Sequence, residues 1–212
     1  AIEQDIEVEP EAVPIMLAGG SAEEKLAAAT SCRRALSKVN QPTIDLFHKN
    51  GTISLLVAAL KDGASSEALL SECLWALTNA ASNGGRHSAA VMKAGAAPPL
   101  VRLMEHKSDT VAKQSMWTIG NLAGDSAPHR DEFVVKGVMR AVSTALAGFR
   151  DNLNALFPVC RLLVKICRLE SGFYPVHEVV SLLPAVCESL RDCTDQQCRI
   201  QLYRALAYAS DR

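Results

Sequence analysis

Apolar residues recur at helical spacing along almost the whole chain, and strand-like alternation is hard to find. Ala, Leu, Glu, Lys and Arg fill these segments, while glycines and prolines cluster between them. The pattern predicts an all-α chain of many short helices. The opening helix is expected over residues 21–38, where Ser21 and Glu24 have the spacing of a capping box.

The hydrophobic pattern repeats with a period of 42 to 44 residues. A buried stripe is predicted at Leu74, Leu77 and Ala81, at Met116, Ile119 and Ala123, at Cys160, Leu163 and Cys167, and more weakly at Tyr203, Leu206 and Ser210. Gly51, Gly95 and Gly137 each precede an apolar helix and are predicted to mark the turn between two helices of a unit. This period, with two or three helices per unit, predicts a right-handed α-solenoid of the armadillo class, in which neighbouring units bury each other's apolar faces.

Two of the repeats carry a tryptophan and an asparagine four residues apart, Trp75 with Asn79 and Trp117 with Asn121. Residues at this spacing share a helix face, and here that face differs from the buried stripe. A carboxamide can pair with the N–H and C=O of an extended peptide, and each indole can attract a Lys or Arg cation by on the order of 0.5–2 kcal/mol. The pairs therefore predict a groove for extended basic peptides. The alternative is that they are core tryptophans and helix-packing amides, which would bury the amides without evident partners.

The segments LWALTNAASN and MWTIGNLAGD, with the following HRDEFVVKG, resemble the armadillo repeats of importin α, the nuclear-import adaptor. ALSKVNQPTIDLFHKNG, residues 35–51, resembles the segment leading through that family's first repeat. The likeness covers roughly residues 22–212 and is strongest over 72–137. It implies that the concave groove binds the nuclear localisation signal of cargo proteins, and that the protein shuttles between cytoplasm and nucleus. Importin β would bind through a segment that is absent from this chain.

The resemblance also implies a key lysine pocket built from an acidic residue, a hydroxyl and a backbone carbonyl. The matching positions are Asp125, Ser88 and Asn83. Glu72 and Gln114, each three residues before its tryptophan, share its face and are predicted to add polar contacts. The alternatives are that Asp125 is a helix-end residue and that Ser88 is an ordinary loop or cap residue.

The later repeats depart from this pattern. Arg161 and Lys165 take the places of the next Trp and Asn, and Arg204 and Tyr208 follow one repeat further on. Like charges ~4 Å apart cost about 1–4 kcal/mol, so this half is not expected to bind a long basic signal as the family does. Two interpretations remain open: these are solvated faces of a weaker repeat, or they are specificity residues of a divergent scaffold that binds another, acidic peptide.

Composition narrows the functional classes. Of 212 residues 49% are hydrophobic, which argues against disorder, and the formal net charge of −1 gives no reason to expect nucleic-acid or membrane-surface binding. The odd count of seven cysteines without framework spacing predicts reduced, mostly buried thiols. Cys193 and Cys198 have the wrong spacing for a zinc knuckle, and catalytic motifs and phosphate loops are missing. We therefore expect no cofactor, no metal and no enzymatic activity.

The predicted organisation is an acidic N-terminal segment over 1–20, partly disordered or helical, followed by an armadillo-repeat domain over 21–212. The first 24 residues contain no Lys or Arg, so the basic importin-β-binding segment of the family is missing from them. A solenoid needs a polar final face, yet the chain stops on a predicted groove helix. About four to five repeats, truncated at the C-terminal side, are expected.

Overall fold

The computed structural model describes residues 8–38, 41–168 and 176–210. Within these ranges the regular structure is helical and no strand occurs, which confirms the predicted all-α class. The helices are α1 Val13–Gly19, α2 Ala22–Ser37, α3 Gln41–Lys49, α4 Thr52–Lys61, α5 Glu67–Ser82, α6 Gly85–Lys93, α7 Ala97–Leu103, α8 Asp109–Asp125, α9 Ala127–Val135, α10 Val138–Gly148, α11 Leu153–Cys167, α12 Val176–Asp192 and α13 Gln196–Ser210.

The helices follow the predicted repeat. Two shorter helices precede one long helix three times, as α3 to α5, α6 to α8 and α9 to α11, while α2 and α13 have the length of the long helix. Gly51, Gly95 and Gly137 lie before the second helix of each triplet with φ of 83°, 78° and 85°. This left-handed conformation is strained for a residue that has a Cβ, which explains why glycine recurs at one place per repeat.

The chain divides into two compact units, residues 1–96 and 97–212. In the first unit α2 packs along α5, and fully buried side chains such as Leu56, Cys73 and Leu77 form the core. The capping box of Ser21 and Glu24 opens α2 as predicted.

Helix α1 lies in the stretch that the sequence assigns to a separate N-terminal segment. It packs on α2 and α4 and buries Val13 and Leu17. Residues 8–20 are therefore joined to the first unit, and the more acidic residues 1–7 lie outside the described ranges.

In the second unit α11 packs against both α8 and α13, and α10 packs against α12. The stripe predicted on α11, at Cys160, Leu163 and Cys167, is buried. The stripe predicted on α13 is wrong at two positions, because Tyr203 and Ser210 are exposed.

The side chains that α13 buries are Cys198, Leu202 and Ala205. Tyr203 instead lies on the outer side of the helix, where its hydroxyl accepts a hydrogen bond from Arg199 Nη2 at 3.3 Å. The phenolic oxygen thereby keeps a polar partner and contact with water, which burial on α11 would remove.

All seven cysteines are free thiols; six are buried and Cys187 is exposed. Burial raises the pKa of Cys73 and Cys167 to about 12. These two thiols therefore remain protonated and unreactive at neutral pH, as expected for small core residues. Among the described helices, none combines the length and the apolar character that a membrane crossing requires.

Leucine-to-alanine changes on α11 should separate the buried face from the exposed one. Leu163 is 2% exposed and Leu153 is 46% exposed on the same helix. We expect Leu163→Ala to lower the free energy of unfolding by about 2–5 kcal/mol, through lost burial and a residual cavity. The matched change Leu153→Ala should cost less than about 1 kcal/mol. Urea unfolding followed by circular dichroism measures both, and equal losses would contradict the assigned packing of α11.

Candidate functional site

Helix α5 presents Glu72, Trp75 and Asn79 on one face, as their spacing predicts. The indole of Trp75 is 49% exposed, although the helix around it is largely buried. Solvent is not the only neighbour of the ring. The guanidinium of Arg33, on α2, lies over the indole, with Cζ 4.5 Å from the ring centroid. Trp75 therefore already binds a cation, and that cation belongs to the chain itself.

A carboxylate holds Arg33 in this position. Arg33 Nε donates a hydrogen bond to Glu72 Oε2, and the two side chains are 18% and 22% exposed. Glu72 lies one helical turn before Trp75, so the ion pair and the ring contact act on the same guanidinium. The polar contact predicted for Glu72 exists, but its present partner is an internal arginine.

The amide of Asn79 joins the same cluster. Its Nδ2 donates to the backbone carbonyl of Arg33 at 3.2 Å, which uses one of its two N–H bonds in helix packing. The other N–H and the carboxamide oxygen remain chemically able to pair with a ligand. Asn83 caps the end of α5, and its Nδ2 donates a hydrogen bond to the backbone carbonyl of Asn79 at 2.9 Å.

The structure departs from the prediction at Ser88. Its side chain is fully buried, and its hydroxyl donates to the carbonyl of Ala81 at 3.3 Å within α5 and α6 packing. This hydroxyl links α6 to the end of α5 by a hydrogen bond and does not reach the surface. Ser88 is therefore a buried packing residue inside α6, and neither the predicted pocket hydroxyl nor a loop or cap residue.

The second tryptophan, on α8, also has an arginine over its ring. Trp117 is half-buried, and the ring of Phe157 packs on it at 6.3 Å between centroids with a tilt of 55°. The guanidinium of Arg161, on α11, lies 4.4 Å from the centroid of the Trp117 ring. Asn121 and Gln114, on the same helix, are also half-buried.

The two stacked arginines occupy equivalent places in the repeat. Arg33 comes 42 residues before Trp75, and Arg161 comes 44 residues after Trp117. The repeat pattern predicts Arg161 at the tryptophan position, either on a solvated face or as a specificity residue for an acidic peptide, and its contact with the Trp117 ring was not predicted. Arg33 was missed entirely, although extending the period one repeat backwards from Trp75 points to that residue.

Asp125, the predicted lysine anchor, is the last residue of α8. Its Oδ2 lies 3.6 Å from Nδ1 of His129, and Ser126 caps the start of α9 directly behind it. A cavity of about 130 Å³ beside Asp125 is also lined by Lys165 and Arg168 from α11 and its end. An acidic group in a small recess suits a lysine ammonium, and a lysine of the chain already lines this recess.

Lys165 approaches the backbone closely at Gly124. A Cβ built at position 124 would lie 3.0 Å from Lys165 Cδ and 3.3 Å from its Nζ. The absence of a side chain at Gly124 thus lets the lysine stem lie across the end of α8. Glycine leaves room for this close approach and is not required by the backbone conformation, because Gly124 lies within the helix.

Helices α11 and α13 form a groove of about 580 Å³ that brings together the four divergent positions Arg161, Lys165, Arg204 and Tyr208. Burial lowers the pKa of Lys165, and the neighbouring Arg161 and Arg168 lower it further. Burial also lowers the pKa of Arg161. These shifts mean that each cation would be stabilised by an added negative charge. Among the residues that the structure describes, no group of three or more His, Cys, Asp or Glu side chains could hold a metal ion.

Comparisons with known proteins agree with this architecture. The family of Armadillo/beta-catenin-like repeats matches residues 86–124. Importin subunit alpha-6 of Arabidopsis thaliana is 32% identical over 92% of this chain and 36% of its own length. Importin subunit alpha-2 of Arabidopsis thaliana is 31% identical over 97% of this chain and 38% of its own length. Importin subunit alpha-2 of Caenorhabditis elegans is 30% identical over 85% of this chain and 34% of its own length. The chain therefore spans little more than a third of the length of these relatives.

Solved structures support the fold. A designed armadillo repeat protein in complex with the peptide (KR)4 has a TM-score of 0.82 at 23% identity, with 94% of this chain and 81% of that chain covered. Computationally designed armadillo repeat proteins for modular peptide recognition give a TM-score of 0.80 at 21% identity, with coverage of 93% and 81%. The predicted armadillo solenoid class and the resemblance to importin α are both confirmed.

A double-mutant cycle should detect the ion pair beneath Trp75. We expect Arg33 and Glu72 to couple by about 1–3 kcal/mol in the free energy of unfolding, because both side chains are largely buried and Arg33 Nε donates a hydrogen bond to Glu72. The exposed pair Arg150 and Glu188, at 39% and 52% exposure, should couple by less than about 1 kcal/mol. Urea unfolding of the single and double alanine variants measures both energies. Coupling at Arg33 no larger than at Arg150 would contradict the arrangement.

Proposed function

Since the chain is an armadillo-repeat protein related to importin α subunits over almost all of its length, we propose that it binds extended Lys- and Arg-rich peptides. In this proposal Trp75 with Asn79, and Trp117 with Asn121, are the binding elements. Each indole attracts a basic side chain, and each carboxamide pairs with the peptide backbone.

One observation carries the proposal. The face of Trp75 accepts a guanidinium at 4.5 Å while Glu72, one turn away, accepts a hydrogen bond from it. An indole with a neighbouring carboxylate is therefore a working receptor for an arginine side chain in this protein. A ligand arginine or lysine that took the place of Arg33 would find the same two contacts.

The neighbouring polar groups extend this receptor. Asp125 would provide the charge-assisted bond to one ligand lysine, in the recess where Lys165 now lies. Asn83, at the end of α5, and Gln114, one turn before Trp117 on α8, would add polar contacts. Ser88 is left out of the proposed set because its hydroxyl is buried and already donates to Ala81.

The relatives give this chemistry a biological setting. Because they are importin α subunits, we propose that the natural ligand is the nuclear localisation signal of a cargo protein. Association with importin β through a segment outside this chain, and shuttling between cytoplasm and nucleus, belong to the same proposal. The (KR)4 peptide bound by a designed armadillo repeat protein supports the ligand class.

Removal of both indoles should abolish most of the affinity for a basic peptide. Each ring contributes on the order of 0.5–2 kcal/mol, so Trp75→Ala with Trp117→Ala should weaken binding of a fluorescent Lys/Arg octapeptide by at least about tenfold. The control is Tyr203→Ala, which removes an exposed aromatic residue outside the proposed set. Fluorescence polarisation measures the affinity and circular dichroism verifies the fold. Unchanged affinity in the folded double variant would overturn the proposal.

Removal of Arg33 should have the opposite effect. Arg33→Ala vacates the indole of Trp75 and releases Glu72, so we expect the same octapeptide to bind about two- to tenfold more tightly. Arg34→Ala removes the same charge from the exposed neighbouring position and should change affinity less. Weaker binding by the Arg33 variant would mean that this arginine supports the site and does not compete for it.

A further inference from the structure

The groove between α11 and α13 has a different chemistry from the face around Trp75. Its charged lining residues are Arg161, Lys165, Arg168 and Arg204, and all four are cations. Within the described ranges, none of Arg161, Lys165 and Arg204 forms an ion pair with an aspartate or glutamate. Arg33, at the equivalent repeat position, has Glu72 as a partner. Arg161, Lys165 and Arg204 thus lack the ion-pair partner that Arg33 has.

We propose that this groove is a binding site for an extended acidic peptide segment of a partner protein. Its ligand would place Asp or Glu carboxylates against Arg161, Lys165 and Arg204, while Gln201 pairs with the peptide backbone. The site shares no residue with the proposed receptor around Trp75, and it stands whether or not that receptor binds cargo signals. It adjoins the proposed positions Trp117 and Asp125, because Arg161 lies over the Trp117 ring and Lys165 lines the recess beside Asp125.

Charge complementarity selects the occupant. Lys165 is half-buried beside two arginines, which lower its pKa together with burial. A carboxylate arriving here would relieve the mutual repulsion and would gain charge-assisted hydrogen bonds in a partly dehydrated setting. Guanidinium groups favour carboxylates in particular, because their planar donors match the two oxygens.

The architecture favours a peptide over a nucleic acid. Phe157 lines the groove, but its ring packs on Trp117, which Arg161 also contacts. The ring of Phe157 is therefore not an open stacking platform for bases. The formal net charge of −1 provides no general attraction for a polyanion. Arg161 and Arg204 recur at 43-residue spacing, so a guanidinium is repeated along the groove, as contacts to successive parts of an extended peptide require.

The test is fluorescence polarisation of the full chain with a labelled Glu/Asp octapeptide, alongside a Gly/Ser octapeptide and an eight-residue oligothymidine, at two salt concentrations. Saturable binding of the acidic peptide alone, weakened by salt, is expected. Arg204→Glu should reduce its affinity by about tenfold or more, because an attraction becomes a repulsion at an exposed position. Arg140→Glu makes the same charge change at an exposed position of α10, outside the groove, and should alter the affinity less than about twofold.

Three outcomes would overturn the proposal: no binding of the acidic peptide, equal effects of Arg204→Glu and Arg140→Glu, or preference for the oligothymidine. Lys165→Met supplies a second variant that removes charge while it keeps the stem against Gly124, and it should weaken the acidic peptide too. Trp75→Ala separates the two proposals. It should weaken a basic octapeptide and leave the acidic one unchanged, so each site can fail without the other.

Discussion

The arrangement of functional groups depends on burial of one apolar stripe on each long helix. When α5 buries Cys73, Leu74 and Leu77, the helical period leaves positions 72, 75 and 79 on another face. The equivalent burial of Met116 and Ile119 sets Trp117 and Asn121 on α8. The hydrophobic effect thus orients residues that contribute little to the core themselves, and the repeat copies that orientation from one long helix to the next.

The series of residues at one repeat position reads Arg33, Trp75, Trp117, Arg161 and Arg204. The first and fourth residues of this series each stack on a neighbouring tryptophan. An arginine at this repeat position, where a tryptophan lies on the neighbouring long helix, therefore has two effects: it fills the face of that indole, and it adds charge to the face it occupies. In the two proposals, Arg33 competes with a cationic ligand for the face of Trp75, whereas Arg161 and Arg204 attract an anionic ligand.

Most of the fold could be predicted from the sequence, because the starts of helices and the turns between them are determined by nearby residues. The capping box at Ser21 and the glycines before the second helices are determined by hydrogen bonds and φ angles within a few residues. The stripe on α13 was misplaced because a shift of one residue turns a helix by about 100°, and weak repeats do not define the register that closely. The burial of Ser88 and the position of Arg33 over Trp75 depend on contacts between helices; the repeat spacing indicates the place of Arg33 but not this contact. The roles proposed for the Trp–Asn pairs and for Asp125 remain predictions from motif and geometry.

Cys187 gives the protein an experimental property that its other thiols do not share. Six cysteines are buried, and burial holds the thiols of Cys73 and Cys167 in the unreactive protonated form, whereas Cys187 faces outward from α12. A maleimide dye or spin label should therefore attach at one known position of the unaltered chain. That position lies on the helix beside α13 and outside the cationic groove, so the label can report on occupancy there without disturbing the residues that would bind the ligand.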